Sequence, residues 1–347
     1  VKFTDLDSLS LVAIYTAMSV YLVAFIAFTL DLARRSAETT SIHSTAGATV
    51  GSAVGVGVAV GVGVGSTIPR ARVLVSVDGS VITTPPPLAA RPPVRRPGKF
   101  EKVAFALTIL GWVLHVAGTV LRGLAANRVP WANMFEFTLT ASVIIVGVYI
   151  AVQAWQDLKF LGAYITGFSL IMLGFGTVGF YVSAIPVPPP LQSYWLIVHV
   201  FVATLGTAFL AIGAGLSVVQ LLQQRRLDGS PGLRFLDTLP DAEKLETLAY
   251  RVIIVGFVFW TFTLMAGAIW ASRAWGRYWG WDTKEVWTFI IWTLFAGYIH
   301  ARATRGWRGS PSAWLAIVGF AAVMFNFTIV NLFFKGLHAY SGFETAE

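Results

Sequence analysis

Residues 195–221, WLIVHVFVATLGTAFLAIGAGLSVVQL, hold one ionisable side chain, His199, in 27 positions. A helix of that length is roughly 40 Å long, against a hydrocarbon core about 30 Å thick. A surface helix of a soluble domain would show a polar stripe over such a distance, and this one has none. The stretch therefore reads as a membrane-crossing helix. Seven further runs have the same character, at roughly 9–30, 102–121, 133–154, 160–182, 249–271, 286–302 and 311–334. Glycine and proline inside them do not exclude spanning, because neighbouring helices can satisfy the backbone groups they free. With 56% hydrophobic and 12% charged residues and a mean hydropathy of +0.70, the chain lies far from an ordinary soluble domain. The expected fold is all-α, a polytopic membrane protein with about eight transmembrane helices and an outer tryptophan-rich loop.

The formal net charge of +8 points to topology and not to nucleic acid, since the basic residues sit in short loops between apolar runs. Lys2, Arg122, Arg128, Arg273, Arg277, Lys284 and Lys335 fall on one side; the other 18 of the 25 Lys and Arg residues fall in 31–102, 155–159, 222–251 and 302–310. Those four segments are expected in the cytoplasm, with both termini outside, and the lipid bilayer is the first partner. The opening VKFTDLDSLS lacks a basic leader region, and no small-residue cleavage site follows the first run, so that run is expected to be a retained helix. The absence of cysteine excludes disulfide frameworks and thiolate metal sites. Metal chemistry would have to run through histidine, methionine, carboxylates or tyrosine.

Three domain-level pieces are expected: an N-terminal helix at 1–30, a cytoplasmic linker at 31–99 and the main membrane domain at 100–347. Within the linker, residues 46–68 are nearly all Gly, Val and Ala. They read either as a low-complexity, membrane-skimming linker or as an extra span. The Pro/Arg-rich tract 83–99 has no core to bury, and 222–248 reads as a polar cytoplasmic loop.

Chemistry concentrates in WGRYWGWDTKEVW, residues 275–287, in the outer loop between the sixth and seventh runs. Interfacial belts account for Trp270 and Trp292. Trp275, Trp279, Trp281 and Trp287 with Tyr278 form either a wider belt or a platform for a large, flat, apolar ligand. Lys284, Arg273 or Arg277 would then meet carboxylates at its edge. Asp282 and Glu285 read as internal partners that fix the loop. His199, about one turn into the fifth run, and His338, just after the eighth, flank this loop on the same outer side. Each alone could be a hydrogen-bonded surface residue; as a pair beside a flat aromatic surface they read as bis-histidine haem ligands. His300, at the cytoplasmic end of the seventh run, serves either a second haem position or as a polar marker of the helix end. His115 inside the second run is a functional candidate or an internal hydrogen-bond donor, and His43 is incidental. Asn133 and Glu136, three apart, are expected on one helical face of an outer vestibule. Asn326 and Asn331 should face protein.

The combination of PWANMFEF, QSYWLIVHV, the WWD stretch continuing into TFIIWTLFAGYIHARATRGWRG, and FNFTIVNLFFKGLHAYSGF resembles the CcsA family, also called ResC and in some bacterial naming CcsB, of system II cytochrome c biogenesis. The likeness covers about residues 100–344; Thr283 stands where the family commonly has proline. The resemblance implies that His199 and His338 match the external haem-ligating pair under the WWD loop and that His300 matches the inner membrane histidine. It implies haem b as substrate and bound ligand, and as partners a CcsB/ResB-type membrane protein, apocytochrome c and thiol-reducing proteins. The setting implied is a bacterial plasma membrane, and the role that of a component of a cytochrome c haem lyase, or synthetase, complex. A haem transporter or chaperone without a role in attachment and a b-type electron-transfer protein are the alternatives.

Overall fold

The computed structural model describes residues 3–50, 73–75, 81–83, 98–183, 189–227, 234–304, 307–334 and 336–338. Two units are distinguished, residues 1–40 with 99–347, and residues 41–98. In the smaller, β1 (Val73–Val75) pairs antiparallel with β2 (Val81–Thr83), Leu74 opposite Ile82. Of the Gly/Val-rich run, residues 46–50 continue the first helix; its remainder, and nearly all of the Pro/Arg tract, lie outside the described residues.

The larger unit is helical. Its order is α1 (Phe3–Val50), α2 (Lys99–Ala126), α3 (Met134–Val152), α4 (Gly162–Gly179), α5 (Tyr194–Leu227), α6 (Ala242–Trp275), α7 (Thr283–Ala303), α8 (Ser310–Phe327) and α9 (Ile329–Phe333). Among the described residues, seven helical segments are long and apolar enough to cross a membrane; α8 and α9 together make one of them. Helix α7 completes the set of eight expected elements, with Trp, Thr, Tyr and charged residues lowering its apolarity. Helices α5 and α6, of 34 residues each, would be about 50 Å long. Their polar ends therefore extend past a core about 30 Å thick. Those ends take up residues 222–227 and 242–248, which the sequence assigns to the cytoplasmic loop. The eighth expected helix is interrupted at Thr328 (φ −96°, ψ −70°). Lys284 Nζ reaches into the ladder there and donates to the Asn326 carbonyl at 3.4 Å, a recognised way to bend a helix.

Helices α5 and α6 pack along nearly their whole length, with α3 and α8 against α5 and α7 against α6 and α8. Small residues permit the closeness: a Cβ on Gly206 of α5 would lie 3.2 Å from the Trp260 backbone nitrogen of α6. Lipid tails are as apolar as leucine, so such contact, and not water exclusion, holds the helices together. Indole N–H groups add cross-helix bonds, Trp260 to Thr288 O at 3.1 Å and Trp112 to Val143 O at 2.9 Å.

A charged cluster ties the start of α1, the last turn of α2 and the start of α3. Arg122 is 0% exposed and donates to Asp7 Oδ1 at 2.6 Å, Glu136 Oε1 at 3.1 Å and Val182 O at 2.6 Å. Arg128 adds a bond to Glu136 Oε2 at 2.5 Å. Asn133 caps α3, its Oδ1 accepting from Glu136 N at 2.9 Å. The expectation that Asn133 and Glu136 form part of a vestibule is corrected: a guanidinium with no access to water needs carboxylates, and this network takes both residues. His115 lies buried between Tyr21 OH at 3.4 Å and Ser142 Oγ at 3.5 Å.

Removing one member of a buried ion pair costs about 3–5 kcal/mol. Glu136→Ala should therefore lower the thermal unfolding midpoint in detergent, and Arg122→Met in the same chain should recover much of the loss. An unchanged midpoint in Glu136→Ala would show that Asp7 and Val182 suffice for Arg122.

Candidate functional site

Helices α3 to α8, the loop between α6 and α7 and the turn after α9 line an open cavity of about 1050 Å³ of empty space, the solvent at its mouth included. Its walls are mostly apolar, from Phe137, Ile145, Phe168 and Leu264, and its polar minority includes His199, His338, Lys284, Glu285 and Asn326. A few convergent polar groups in an apolar cleft describe a ligand pocket.

His199 is aimed by α6. Thr263, Gly267 and Trp270 are spaced four and three apart and so share a helical face. The Thr263 carbonyl meets His199 Nδ1 at 3.1 Å. Gly267 leaves room for the ring, and Trp270 stacks on it with centroids 5.8 Å apart and planes 10° apart. A carbonyl only accepts, so Nδ1 carries the proton and the Nε2 lone pair is left available.

His338 is held by the loop. Asp282 Oδ2 lies 2.6 Å from His338 Nδ1, and Oδ1 accepts from Leu337 N at 3.1 Å. Asp282 is also the N-cap of α7, in a capping box with Glu285. The Glu285 carboxylate accepts from Asp282 N at 3.0 Å and Gly280 N at 2.8 Å. The His338 hydrogen bond holds the Asp282 carboxyl below the usual carboxylate range, so it is an anion that only accepts. Nδ1 of His338 then bears the proton and Nε2 is again free.

Trp270 joins the two histidines: His338 tilts against its indole at 5.4 Å, and Trp275 meets both Trp270, at 4.7 Å, and His338, at 4.8 Å. Trp270 was expected in an interfacial belt, but it is 2% exposed and sits under the site. The missed signal was its spacing from Thr263 and Gly267 on the face of α6 that packs on α5.

Trp279 and Tyr278 line the cavity. Trp281, at φ +59°, is 77% exposed and meets Trp279 edge-on at 5.8 Å. Trp287 packs on Phe325 between α7 and α8. Arg273 lies in the exposed last turn of α6. Trp281, Trp287 and Arg273 are not brought to the cavity wall among the described residues. Lys284 lines the cavity and donates to Asn331 Oδ1. Two buried oxygens of the lining, Glu285 Oε1 and Asn326 Oδ1, accept no hydrogen bond.

His300 stands apart, exposed in a second hollow with Gly297, Thr304 and Trp307. Arg302 beside it is engaged by Glu246 at 2.8 Å, which also accepts from Gly309 N at 3.1 Å. Arg305, three positions further along, lies outside the described residues.

Residues 131–338 match the family described as Cytochrome C assembly protein. Among curated proteins, the chain is 42% identical over 238 residues to the cytochrome c biogenesis protein CcsA of Chlamydomonas reinhardtii, covering 67% of this chain and 66% of that one. It is 33% identical over 258 residues to the CcsA of Guillardia theta, covering 69% and 85%. The CcsA of Synechococcus sp. (strain CC9902) is 33% identical over 273 residues, covering 72% and 88%. Among solved structures, Cytochrome c Heme Lyase CcmF superposes with a TM-score of 0.58 at 14% identity, covering 93% of this chain and 46% of that one. At that identity the likeness concerns the fold.

A Cβ at position 267 would lie 2.8 Å from His199 Cε1 and 3.0 Å from Nδ1. Overpacking of this kind costs about 1–3 kcal/mol. Gly267→Ala should push the ring off the Thr263 carbonyl and mix its tautomers, seen in the imidazole ¹⁵N shifts. Wild-type shifts in that variant would show that the ring does not need the space.

Proposed function

The chain belongs to the CcsA family of cytochrome c assembly proteins, and from that premise we propose that it carries haem across the membrane and presents it on the outer face for attachment to apocytochrome c. Haem is the substrate. The observation that carries this reading is the pair of imidazoles: His199 and His338 line one apolar cavity, each with Nδ1 occupied and Nε2 left to bind iron. Two such nitrogens satisfy an iron without any thiolate, in keeping with a chain that has no cysteine.

The apolar walls suit a porphyrin face. Lys284 is the cation placed to meet a propionate, and Tyr278 and Trp279 cover the ring from the loop. Trp275 packs edge-on against His338. His300 receives haem nearer the cytoplasm, with a second imidazole supplied by a CcsB/ResB-type partner. On this topology both termini and the 273–287 loop lie outside.

Attachment itself needs little from this chain beyond position and exclusion of water. Each thiol of the acceptor's CxxCH adds across a haem vinyl group, sulfur bonding one carbon and the proton ending on the other. No net oxidation occurs, so the thiols must arrive reduced. The protein's part is to hold the ring still, vinyl edge outward, with its iron ligated.

His199→Ala and His338→Ala should each abolish the low-spin bis-histidine absorption spectrum, and added imidazole should restore it in part by filling the vacant axial position. Unaltered spectra in both would refute the assignment. Lys284→Ala should weaken haem retention while leaving the axial-ligand spectrum as it was. Reconstitution with the partner, haem and a reduced apocytochrome tests the attachment step: holocytochrome forming only when both membrane proteins are present supports it. Haem crossing the membrane without thioether formation would favour a transporter.

A further inference from the structure

The two imidazoles are backed by different acceptors. His199 Nδ1 meets a neutral backbone carbonyl at 3.1 Å, whereas His338 Nδ1 meets a carboxylate at 2.6 Å. A charged acceptor makes the shorter and stronger bond and draws the proton away from the ring. Electron density then moves to the opposite nitrogen, the effect by which a carboxylate raises the basicity of a histidine ligand. The surroundings preserve the difference. Asp282 is kept in place by capping α7 and by accepting from Leu337 N at 3.1 Å. A Cβ on Gly336 would lie within 2.1 Å of Asp282 Oδ1, so glycine there lets the turn bearing His338 come down onto the carboxylate. The Thr263 carbonyl, by contrast, belongs to an uninterrupted stretch of α6 and brings no net charge to His199.

An iron with two histidine ligands must give one up before the histidine of an acceptor's CxxCH can bind it. We infer that Asp282 makes His338 the stronger iron ligand, so that haem stays on His338 while His199 is surrendered to the incoming histidine. This rests on the bis-histidine reading of the preceding section. Asp282 acts through His338 and is a positioning residue; it touches neither the reacting vinyl groups nor the thiols. The aspartate of the tryptophan-rich loop thereby decides which face of the haem opens.

The test uses the full-length chain in detergent, loaded with ferric haem, with loss of haem to apomyoglobin followed in time. His338→Ala should release haem about 10–100-fold more readily than His199→Ala, the range in which carboxylate support of a ligating histidine operates. Asparagine caps helices as well as aspartate, so Asp282→Asn keeps the cap of α7 while it removes the charge and one of the two acceptor oxygens. It should raise the midpoint potential of the bound haem, because a less anionic ligand set favours the ferric state less. It should also weaken retention in the His199→Ala background and leave the His338→Ala background unchanged, a coupling that a merely structural role would not produce. Equal release from the two alanine variants, or an unmoved potential in Asp282→Asn, would overturn the inference. The alanine comparison stands without the Asp282 variant if that variant fails to fold. A wild-type chain whose haem lacks the low-spin bis-histidine spectrum would refute the site reading itself and this inference with it. With that spectrum present, only the order of ligand exchange is at stake.

Discussion

Close contact between α5 and α6 is the constraint from which the candidate site follows. In a bilayer these helices gain little from hiding apolar surface, so they are held by contact at short range. Gly206, Gly213 and Gly256 lie along the seam with side chains of the opposite helix against them. Near the start of α5, the same closeness sets His199 into the face formed by Thr263, Gly267 and Trp270. A looser crossing would leave the imidazole without its carbonyl and free to turn. Rigid placement of a ligand by a helix face is worth more than the ligand alone, since the ordering is done before anything binds.

The other half of the site is built by a loop on a single carboxylate. Asp282 begins α7, receives the Leu337 backbone and orients His338. Local structure and ligand geometry therefore depend on the same two oxygens. Glu285 closes the arrangement from inside the helix, tying the Gly280 and Asp282 backbone groups. Its remaining oxygen and Asn326 Oδ1 are buried without a hydrogen bond, on two residues that line the cavity. Arg122 is matched by Asp7 and Glu136, and Arg302 by Glu246.

The two histidines at the cavity differ in kind from His300. His199 and His338 are oriented by hydrogen bonds and partly covered, while His300 stands exposed in a shallow hollow whose nearby arginine is already paired.

What the sequence by itself determined is the set of membrane helices, because in a bilayer every backbone group must be satisfied within its own segment, so length and apolarity suffice. It also marked His199, His338 and the loop at 273–287, since ionisable and aromatic groups are few in so apolar a chain. The roles inside that set were decided by tertiary structure. Whether an indole faces lipid, solvent or a neighbouring helix depends on packing that hydropathy does not record. For that reason Trp270 proved to be buried beneath the histidines and Trp281 to be exposed. Glu136 and Asn133 went to a charged cluster and a helix cap because Arg122, 14 residues from Glu136 in the chain, was buried beside them. The Asp282–His338 bond spans 56 residues, and no local pattern announces it: it exists only because α7 and α8 bring the two ends of that interval together.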